Sequence, residues 1–349
     1  MSNDTPSGDS TSTSTTTTSS QWHLVARPHG EPVPSDVALR TVDLPPLGEG
    51  EVRVANEFLS VDPYMRGRMN DVPSYVPPFR LDEPMTGGAV GRVVESRSSD
   101  LPVGTAVSHN DGWRDVAQGP AKAFSRVEEL PGVSLSVHLG ALGLTGLTAY
   151  TGLTRIAGLK EGDVVFVSGA AGAVGTMVGQ IARLRGASRV IGSAGSAEKV
   201  ALLTSKYGFD AAFNYRDGDV LGQLQAAAPD GIDVYFDNVG GDHLSAAFET
   251  LNRFGRIAVC GAIGAYNATG AEQGVTGTTR IVTRSLRVEG FTMGDHWDLA
   301  PEFAAEVGPA FADGRFVFDE TVVDGLDNTF DAFVGLLRGQ NVGKMVVRL

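Results

Sequence analysis

A glycine- and alanine-rich run at residues 168–175 is the part of the sequence whose chemistry is easiest to identify. It follows the apolar segment 164–167 and precedes a helical pattern at 176–185, so it lies where a strand gives way to a helix. Gly172 and Gly175 allow the backbone to approach a pyrophosphate closely, and the free N–H groups of a helix N-terminus favour an anion. Ala170 stands where the usual fingerprint has its first glycine. The run predicts a dinucleotide-binding turn, and the alternative is a flexible loop after a buried strand.

The residues after the next predicted strand decide which dinucleotide fits this turn. In NAD-binding proteins, an acidic residue about 20 positions further on binds the ribose 2′-hydroxyl. Here the strand at 189–192 ends without a carboxylate and runs into 193–199, a small, hydroxyl-rich segment that finishes at Lys199. Hydroxyls and a cation suit a 2′-phosphate, so we expect NADPH (NADP⁺) as the cofactor. The alternative for Lys199 is an ordinary solvated lysine, because exposed lysines are common.

Charge and composition argue against several classes of partner. The 349 residues include 28 Lys and Arg against 41 Asp and Glu, which gives a formal charge of −13. Nucleic acids and anionic membranes would repel such a protein. No apolar run approaches the roughly 20 residues needed to span a bilayer, so we expect a cytoplasmic protein that handles a small molecule. Residues 1–20 form a Ser/Thr-rich leader that we expect to be disordered.

Cys260 is the only cysteine, which rules out an internal disulfide and a four-cysteine zinc site. The six histidines form no local ligand cluster such as H-E-x-x-H. We therefore predict no metal site, and we expect any hydride transfer to proceed without a metal Lewis acid. Cys260 lies in the strand-like run 257–261, where a small buried hydrophobic role is expected rather than that of a nucleophile.

The pattern of apolar residues divides the chain into two kinds of structure. Residues 21–137 contain short alternating runs broken by Pro and Gly, which predicts a β-rich, barrel-like domain. From residue 138 the pattern alternates between helices and apolar strands near 164–167, 189–192, 211–215, 232–237, 256–261 and 286–291. That alternation predicts an α/β fold with a doubly wound parallel sheet over 138–315. Residues 316–349 resemble the first region again, and we expect them to complete it.

Several runs together resemble one family of enzymes. They are DPYMRGRM at 62–69, SYVPPF at 74–79, GLTAY at 146–150, the glycine turn, FDNVGG at 236–241, CGAI at 260–263, YN at 266–267, RVEGF at 287–291 and NVGK at 341–344. Their order and spacing are similar to the zinc-independent medium-chain dehydrogenase/reductase superfamily, and within it to the leukotriene hydroxydehydrogenase, prostaglandin reductase and alkenal (curcumin) double-bond reductase family. The resemblance implies a Rossmann domain that binds NADPH at 138–315 and a GroES-like substrate domain made of 21–137 and 316–349.

The resemblance also implies the site residues, position by position. The pyrophosphate would bind at Gly172, Ala173, Val174 and Gly175, and the 2′-phosphate at Ser196, Lys199 and Tyr215. The nicotinamide half would contact Asn238, Cys260, Gly261, Ala262, Ile263, Phe291, Thr292, Met293 and Asn341. Tyr64 would contact the substrate, and Tyr266 would be the catalytic tyrosine. Without the family, the asparagines would be ordinary loop residues and the tyrosines packing residues.

The implied reaction reduces the carbon–carbon double bond of an α,β-unsaturated aldehyde or ketone. Hydride from NADPH would reach the β-carbon, and the Tyr266 hydroxyl and a cofactor ribose hydroxyl would stabilise the charge on the carbonyl oxygen. Gly264 and Ala265 precede Tyr266, where the family commonly has a polar segment that contains serine. Because of this departure, the resemblance does not indicate which enone the pocket accepts. The alternatives are a quinone reductase of the same superfamily and a redox-inactive NADPH-binding protein. A homodimer is the default expectation for a soluble enzyme of this size.

Overall fold

The computed structural model describes residues 17–270 and 274–349. The first strand, β1 (Thr18–Leu24), pairs antiparallel with β2 (Val37–Asp43) in a two-stranded sheet. The expectation of a disordered leader over 1–20 is therefore wrong at its end, and residues 1–16 lie outside the described residues. Ser19 Oγ donates to Val116 O at 2.7 Å and the Ser20 N–H donates to Asp115 Oδ1 at 2.9 Å. Hydrogen bonds to a distant segment thus order polar residues that composition alone assigns to disorder.

An antiparallel region follows along the chain. Its elements are β3 (Glu51–Ser60), α1 (Tyr64–Arg68), β4 (Ala89–Ser96), β5 (Ala106–His109), β6 (Val116–Pro120) and β7 (Ser125–Arg126). Helix α2 (Leu144–Thr151) follows and leads into the second region. The strands of this region pair with their neighbours in antiparallel fashion. Strand β3 lies at its centre, because both β4 and β6 pair with it.

A parallel sheet with alternating helices occupies the second half of the chain. Its elements are β8 (Val164–Val167), α3 (Ala173–Leu184), β9 (Arg189–Ala194), α4 (Ala197–Ser205), β10 (Ala211–Asn214), α5 (Val220–Ala227), β11 (Ile232–Asp237), α6 (Gly241–Thr250), β12 (Leu251–Val259), α7 (Thr279–Thr283), β13 (Arg287–Gly290) and α8 (Ala300–Ala312). The strand order is β10-β9-β8-β11-β12-β13, which confirms the predicted doubly wound sheet. Because the order reverses between β8 and β11, a crevice is expected at the carboxyl ends of these two strands.

The last part of the chain returns to the antiparallel region. It consists of β14 (Glu320–Asp324), α9 (Thr329–Leu337) and β15 (Lys344–Arg348). Strand β15 pairs antiparallel with β3, which gives a seven-stranded sheet with the path β14-β15-β3-β4-β5-β7 and β6 beside β3. Within the described residues, no helix is both long enough and apolar enough to cross a membrane.

The parallel sheet is buried on both of its faces. Val165 and Val167 of β8 belong to one apolar cluster, together with Val178 of α3. Phe166, which points to the other face, belongs to a second cluster with Ile191. All five side chains are fully buried. Packing on both sides therefore fixes the carboxyl end of β8, from which the glycine turn extends.

Candidate active site

The glycine turn joins the end of β8 to the start of α3, as the sequence predicts. A Cβ placed on Gly175 would lie 2.6 Å from Ala170 Cα, so only glycine fits there. Gly172 is different, because the nearest atom to its added Cβ is the Gly169 carbonyl oxygen at 3.3 Å. The Thr176 N–H donates to Gly172 O at 3.0 Å, and the amides of Ala173, Val174 and Gly175 lie ahead of it in the first turn of the helix. These amides and the open face at Gly172 fit a pyrophosphate.

Ala170 is accommodated by a glycine on the neighbouring strand. A Cβ added to Gly192 of β9 would lie 2.8 Å from the Ala170 Cβ. The alanine methyl in the turn therefore occupies space that a side chain on β9 would otherwise need. Sequence reasoning missed this pairing, although a glycine inside an apolar strand is the usual signal of a close approach.

The C-terminal segment contacts the glycine turn directly. The Gly343 N–H donates to Ala171 O at 2.9 Å, and Gly172 and Gly343 form a parallel bridge. Asn341, predicted to contact the nicotinamide half, is 6% exposed. Its Nδ2 donates to Gly343 O at 2.7 Å. The structure thus places Asn341 beside the turn and uses its amide N–H to hold the segment that supports the turn.

The residues predicted for the 2′-phosphate meet at the ends of β9 and β10. Ser196 caps α4, and its Oγ accepts a hydrogen bond from the Lys199 N–H at 3.3 Å. Lys199 Nζ donates to Gly339 O at 2.7 Å. Tyr215 approaches Gly195 so closely that an added Cβ there would lie 2.8 Å from the tyrosine hydroxyl. The three predicted residues therefore lie close to one another where β9 and β10 end.

Arg216 is a second cation near Lys199. Sequence reasoning missed this residue. Burial lowers the pKa of Lys199, and the positive charge of Arg216 lowers it further. Two neighbouring cations repel each other, and an anion between them would relieve that repulsion. The position of Arg216 directly after Tyr215 is the signal in the sequence that could have identified it. The charge distribution fits a phosphate group at this end of the crevice.

A turn after β11 ties the central strands together. Asn238 Nδ2 donates to Ser168 O at 2.8 Å, and its backbone N–H donates to Ser168 Oγ at 3.0 Å. The fully buried Asp237 accepts hydrogen bonds from the Val239 N–H at 3.0 Å and the Gly240 N–H at 2.8 Å. Asn238 therefore joins the ends of β8 and β11. Asp237, which sequence reasoning missed, builds the turn that presents it.

Tyr266 follows the strand end that carries the other predicted nicotinamide contacts. The N–H groups of Cys260 and Gly261 donate to Asp237 O at 2.8 and 3.1 Å, and the chain then turns through Ile263–Ala265 to the tyrosine. An added Cβ on Gly261 would lie 3.3 Å from the Tyr266 hydroxyl oxygen. Burial raises the pKa of Tyr266, although a hydrogen bond from the Ala262 backbone opposes the shift. The phenol thus lies over the backbone of residues 260–262.

Cys260 is half-buried and lies near the same tyrosine. Burial raises the pKa of its thiol to about 12, and the negative charge of Asp237 contributes to the shift. At neutral pH the sulfur therefore carries its proton, as expected for the small hydrophobic role that the sequence predicts.

The last predicted nicotinamide contacts lie at the carboxyl end of β13. The Phe291 N–H donates to Val259 O at 3.4 Å, and the Phe291 ring packs edge-on against Phe236 with 6.3 Å between centroids. Thr292 Oγ1 donates to Asp295 Oδ2 at 3.2 Å, and Met293 begins the short helical turn that follows. These three residues continue the same edge of the sheet beyond β12.

Two tyrosines of the antiparallel region lie on the side of Tyr266, with Tyr75 near Tyr266 and Tyr64 near Tyr75. Tyr64 begins α1 and is hydrogen-bonded by Arg68, while burial and the charge of Asp62 raise its pKa. Partial burial of its hydroxyl and its nearness to Tyr266 and Cys260 raise the pKa of Tyr75. Sequence analysis quoted Tyr75 within a motif and gave it no role. The three phenol groups thus follow one another, with Tyr75 between Tyr64 and Tyr266.

Comparison with known families accounts for most of the chain. Residues 20–127 match a family model described as the N-terminal domain of oxidoreductase, and residues 173–307 match one described as zinc-binding dehydrogenase. The first match covers most of the antiparallel region and the second covers most of the parallel sheet.

The residues that the structure describes do not fit the zinc named in the second description. Across 17–270 and 274–349, no three His, Cys, Asp or Glu side chains are grouped so that they could hold a metal ion. His109 is buried, its Nε2 lies 2.8 Å from Asn56 Oδ1, and burial lowers its pKa to about 3. It therefore belongs to the interior of the antiparallel sheet.

Relatives of stated activity match along almost the whole chain. The NADPH-dependent curcumin reductase of Escherichia coli (strain K12) is 40% identical over 334 residues, which are 94% of this chain and 96% of that protein. The NADP⁺-dependent 2-alkenal reductase of Nicotiana tabacum is 42% identical over 324 residues, 91% of this chain and 94% of that protein. The crystal structure of CurA from Vibrio vulnificus in complex with NADPH is 40% identical, with a TM-score of 0.89 and coverage of 94% of this chain and 98% of that one. The chain belongs to the zinc-independent medium-chain dehydrogenase/reductase family that contains these reductases.

Proposed function

We propose that the protein is an NADPH-dependent reductase of carbon–carbon double bonds conjugated to an aldehyde or a ketone. The observation that carries this proposal is the position of the Tyr266 hydroxyl, beside Gly261 at the carboxyl end of β12. In the strand order this is two strands from β8 and its glycine turn. A hydrogen-bond donor therefore lies where the far half of a bound dinucleotide would end. The printed names of the curcumin and 2-alkenal reductases support the same chemistry.

NADPH would lie along the carboxyl edge of the parallel sheet. Its pyrophosphate would face the open side of Gly172 and the first amides of α3. Its 2′-phosphate would lie among Ser196, Lys199 and Tyr215, and we add Arg216 to this group. Its nicotinamide half would meet the remaining predicted contacts, which are Asn238, Cys260, Gly261, Ala262, Ile263, Phe291, Thr292, Met293 and Asn341. The Vibrio relative was crystallised with NADPH, which supports this choice of cofactor.

The side chains then supply binding and charge stabilisation. When bound, NADPH supplies the hydride that adds to the β-carbon and a ribose hydroxyl near the reacting carbonyl. As the electrons of the double bond move toward the carbonyl oxygen, Tyr266 would donate a hydrogen bond to that oxygen. Because the pKa of Tyr266 is raised, the phenol keeps its proton at neutral pH. Tyr64 and Tyr75 would contact the rest of the substrate, and uptake of one proton at the α-carbon completes the product.

The test is anaerobic NADPH oxidation with a panel of alkenals, enones, curcumin-like dienones and quinones, with the products identified by NMR. We expect saturation of the α,β-carbon–carbon bond and retention of the carbonyl group. Turnover of quinones without turnover of any enone would replace the proposal with the quinone reductase alternative. Saturable NADPH binding without turnover of any member of the panel would support the redox-inactive alternative.

We also propose that the protein forms a homodimer. The supporting observation is β13, which lies at the edge of the six-stranded sheet with all four of its residues exposed. Val282, on the helix just before it, is 82% exposed. Unpaired strand edges and exposed apolar side chains are features of association surfaces. Light scattering should give twice the 36.5 kDa mass of the chain, and a mass of one chain at micromolar concentration would contradict the proposal.

A further inference from the structure

We propose that Arg66 is a positioning residue that holds the loop carrying Tyr266 through a hydrogen bond to Asn267. This inference rests on the function proposed above, because it assigns Arg66 a part in the same reaction. It concerns the contact between helix α1 of the antiparallel region and residues 263–270, which follow β12 of the parallel sheet. We call residues 263–270 the Tyr266 loop.

The Arg66 guanidinium is buried, and several hydrogen bonds fix its orientation. Its residue is 3% exposed. Nε and Nη2 donate to the Gly30 carbonyl oxygen at 3.1 and 2.7 Å, and Nη1 donates to Asn70 Oδ1 at 2.8 Å. The single Nε–H is shared between Gly30 O and Asn267 Oδ1, which lies 3.2 Å from Nε. These four contacts use neutral acceptors, so the planar group is oriented by geometry and not by a carboxylate.

Asn267 is the residue directly after Tyr266, and the two ends of the Tyr266 loop are held by different regions. At the near end, the Ile263 N–H donates to Asn238 O and the Gly264 N–H donates to Val239 O, each at 3.2 Å. These bonds fasten the loop to the turn after β11. At the far end, Arg66 reaches across from the antiparallel region and binds Asn267.

A second contact supports the far end of the loop. Gly30, whose carbonyl group is bound by Arg66, has a φ of +81°. A Cβ added there would lie 3.0 Å from the Thr269 methyl group and 3.8 Å from Asn267 O. The Gly30 turn, Arg66 and the Tyr266 loop therefore form one packed unit.

The position of Arg66 connects the two tyrosines of the site. Helix α1 begins at Tyr64, so Tyr64 and Arg66 belong to the same turn of backbone. Because Arg66 binds the residue after Tyr266, any movement of the Tyr266 loop away from α1 also breaks this bond. The hydrogen bond thus fixes the spacing between a substrate-contacting tyrosine and the tyrosine that faces the carbonyl oxygen. Preorganised spacing of this kind affects turnover more than binding.

The first test removes the acceptor and keeps Arg66 in place. We expect Asn267→Ala to lower kcat roughly tenfold, because small displacements of reacting groups have effects of this size or larger. The Kd for NADPH, measured by fluorescence titration, should stay within about twofold because the glycine turn is not altered. Asn267→Asp retains an acceptor oxygen for the guanidinium and should restore most of the lost turnover. A loss of kcat that Asn267→Asp does not restore would overturn the proposal.

Hydrogen exchange of the protein without cofactor gives a readout independent of activity. The Tyr266 N–H donates to Ile263 O at 3.3 Å and the Ala268 N–H donates to Ala265 O at 3.0 Å. In Asn267→Ala these two amides should exchange faster, whereas amides of α3 should not change. Unaltered exchange in the Tyr266 loop would show that Arg66 does not hold it.

The matched control is Asn252→Ala at the opposite end of the parallel sheet. Asn252 Nδ2 donates to Asp233 Oδ1 at 3.0 Å, so this change also removes a side-chain hydrogen bond of a half-buried asparagine. Its kcat and its exchange in the Tyr266 loop should equal those of the parent protein. A kcat loss equal to that of Asn267→Ala would overturn the proposal, since the effect would then not be local.

A double variant separates this inference from the proposed function. If Asn267 acts through Tyr266, Asn267→Ala should have little further effect on kcat in a Tyr266→Phe background. Equal losses in both backgrounds would overturn the inference. If Tyr266→Phe alone retains full turnover, the catalytic role of Tyr266 fails, and the hydrogen-exchange result still decides whether Arg66 holds the loop.

Discussion

The glycine turn and the tyrosine cluster differ in how the chain builds them. The glycine turn is formed within residues 168–175, and its shape follows from packing against β9 directly beside it. The tyrosine cluster brings together Tyr64, Tyr75 and Tyr266, which are distant in sequence and come from two different sheets. The glycine turn is therefore formed mainly by residues close in sequence, with one added support from Gly343, whereas the tyrosine cluster depends on how two regions meet.

This difference explains why one scaffold can keep its cofactor and vary its substrates. A turn that depends on a few short-range contacts tolerates little change, as the space at Gly175 shows. A pocket wall made from separate loops can change one loop at a time. Changes in the glycine turn should therefore affect NADPH binding, and changes in the tyrosine cluster should affect turnover.

The largest effect is expected from Tyr266→Phe. Loss of one preorganised donor to a developing oxyanion typically costs about 10²–10³ in kcat, and a second donor from the cofactor ribose would place this variant at the lower end. NADPH affinity should remain unchanged, because the glycine turn is intact. Steady-state kinetics on a good enone, together with a cofactor titration, measures both. Unaltered turnover would remove Tyr266 from the mechanism.

Gly175→Ala should damage the other part of the site. The added methyl would lie 2.6 Å from both Ala170 Cα and Gly169 O, which are backbone atoms. We expect a loss of stability of about 1–3 kcal/mol, typical of overpacking, together with weaker NADPH binding. Thermal unfolding with and without NADPH tests this.

Gly172→Ala is the matched comparison for that stability measurement. Its added methyl meets only Gly169 O at 3.3 Å, so we expect unfolding close to that of the parent protein. If both alanine variants lost the same stability, the packing account of Gly175 would be wrong.

A smaller and more selective effect is expected from Lys199→Ala. A hydrogen bond to a charged group contributes about 1.5 kcal/mol or more, so the Kd for NADPH should rise about tenfold while that for NADH changes little. Fluorescence titration with both cofactors gives the ratio. Equal losses for the two would show that Lys199 acts through its bond to Gly339 O and not through a 2′-phosphate.

The smallest expected effect is that of pH on turnover. The pKa of Tyr266 is raised, chiefly by burial, above the value near 10 of a free tyrosine. The protonated phenol, which donates the hydrogen bond, is therefore fully populated at neutral pH. Its population falls only as the pH rises through the raised pKa. We expect kcat on an enone to be flat between pH 7 and pH 9. An increase with pH over that range would mean that an ionised tyrosine is the active form.

The sequence was sufficient for the parts of the fold whose signals are local. The alternation of apolar strands and helices predicted the parallel sheet, and the strand-turn-helix context predicted the glycine turn despite Ala170. At Thr18–Ser20 the same reasoning failed, because a Ser/Thr-rich composition carries no information about a partner strand such as β2. Composition could not predict that these residues would pair with a strand elsewhere in the chain.

The site itself was predictable only in part. The carboxylate-free segment after β9 indicated Lys199, and the family resemblance added Ser196 and Tyr215, but Arg216 needed the observed charge environment of Lys199. Tyr75 and Arg66 could not be assigned from sequence, since their roles depend on distances to Tyr266 and Asn267 across the two regions. The catalytic and binding roles proposed for all these residues stay predictions until the variants are measured.

The protonated state of Cys260 has a consequence for how long the protein survives its own work. Conjugated aldehydes and ketones alkylate thiolates, and this sulfur lies near the tyrosine that would meet them. With its pKa raised to about 12, chiefly by burial, the thiol keeps its proton at pH 7. If the protein reduces such electrophiles as proposed, its one cysteine is a poor nucleophile toward them at neutral pH, and the strand end that carries Tyr266 would resist alkylation.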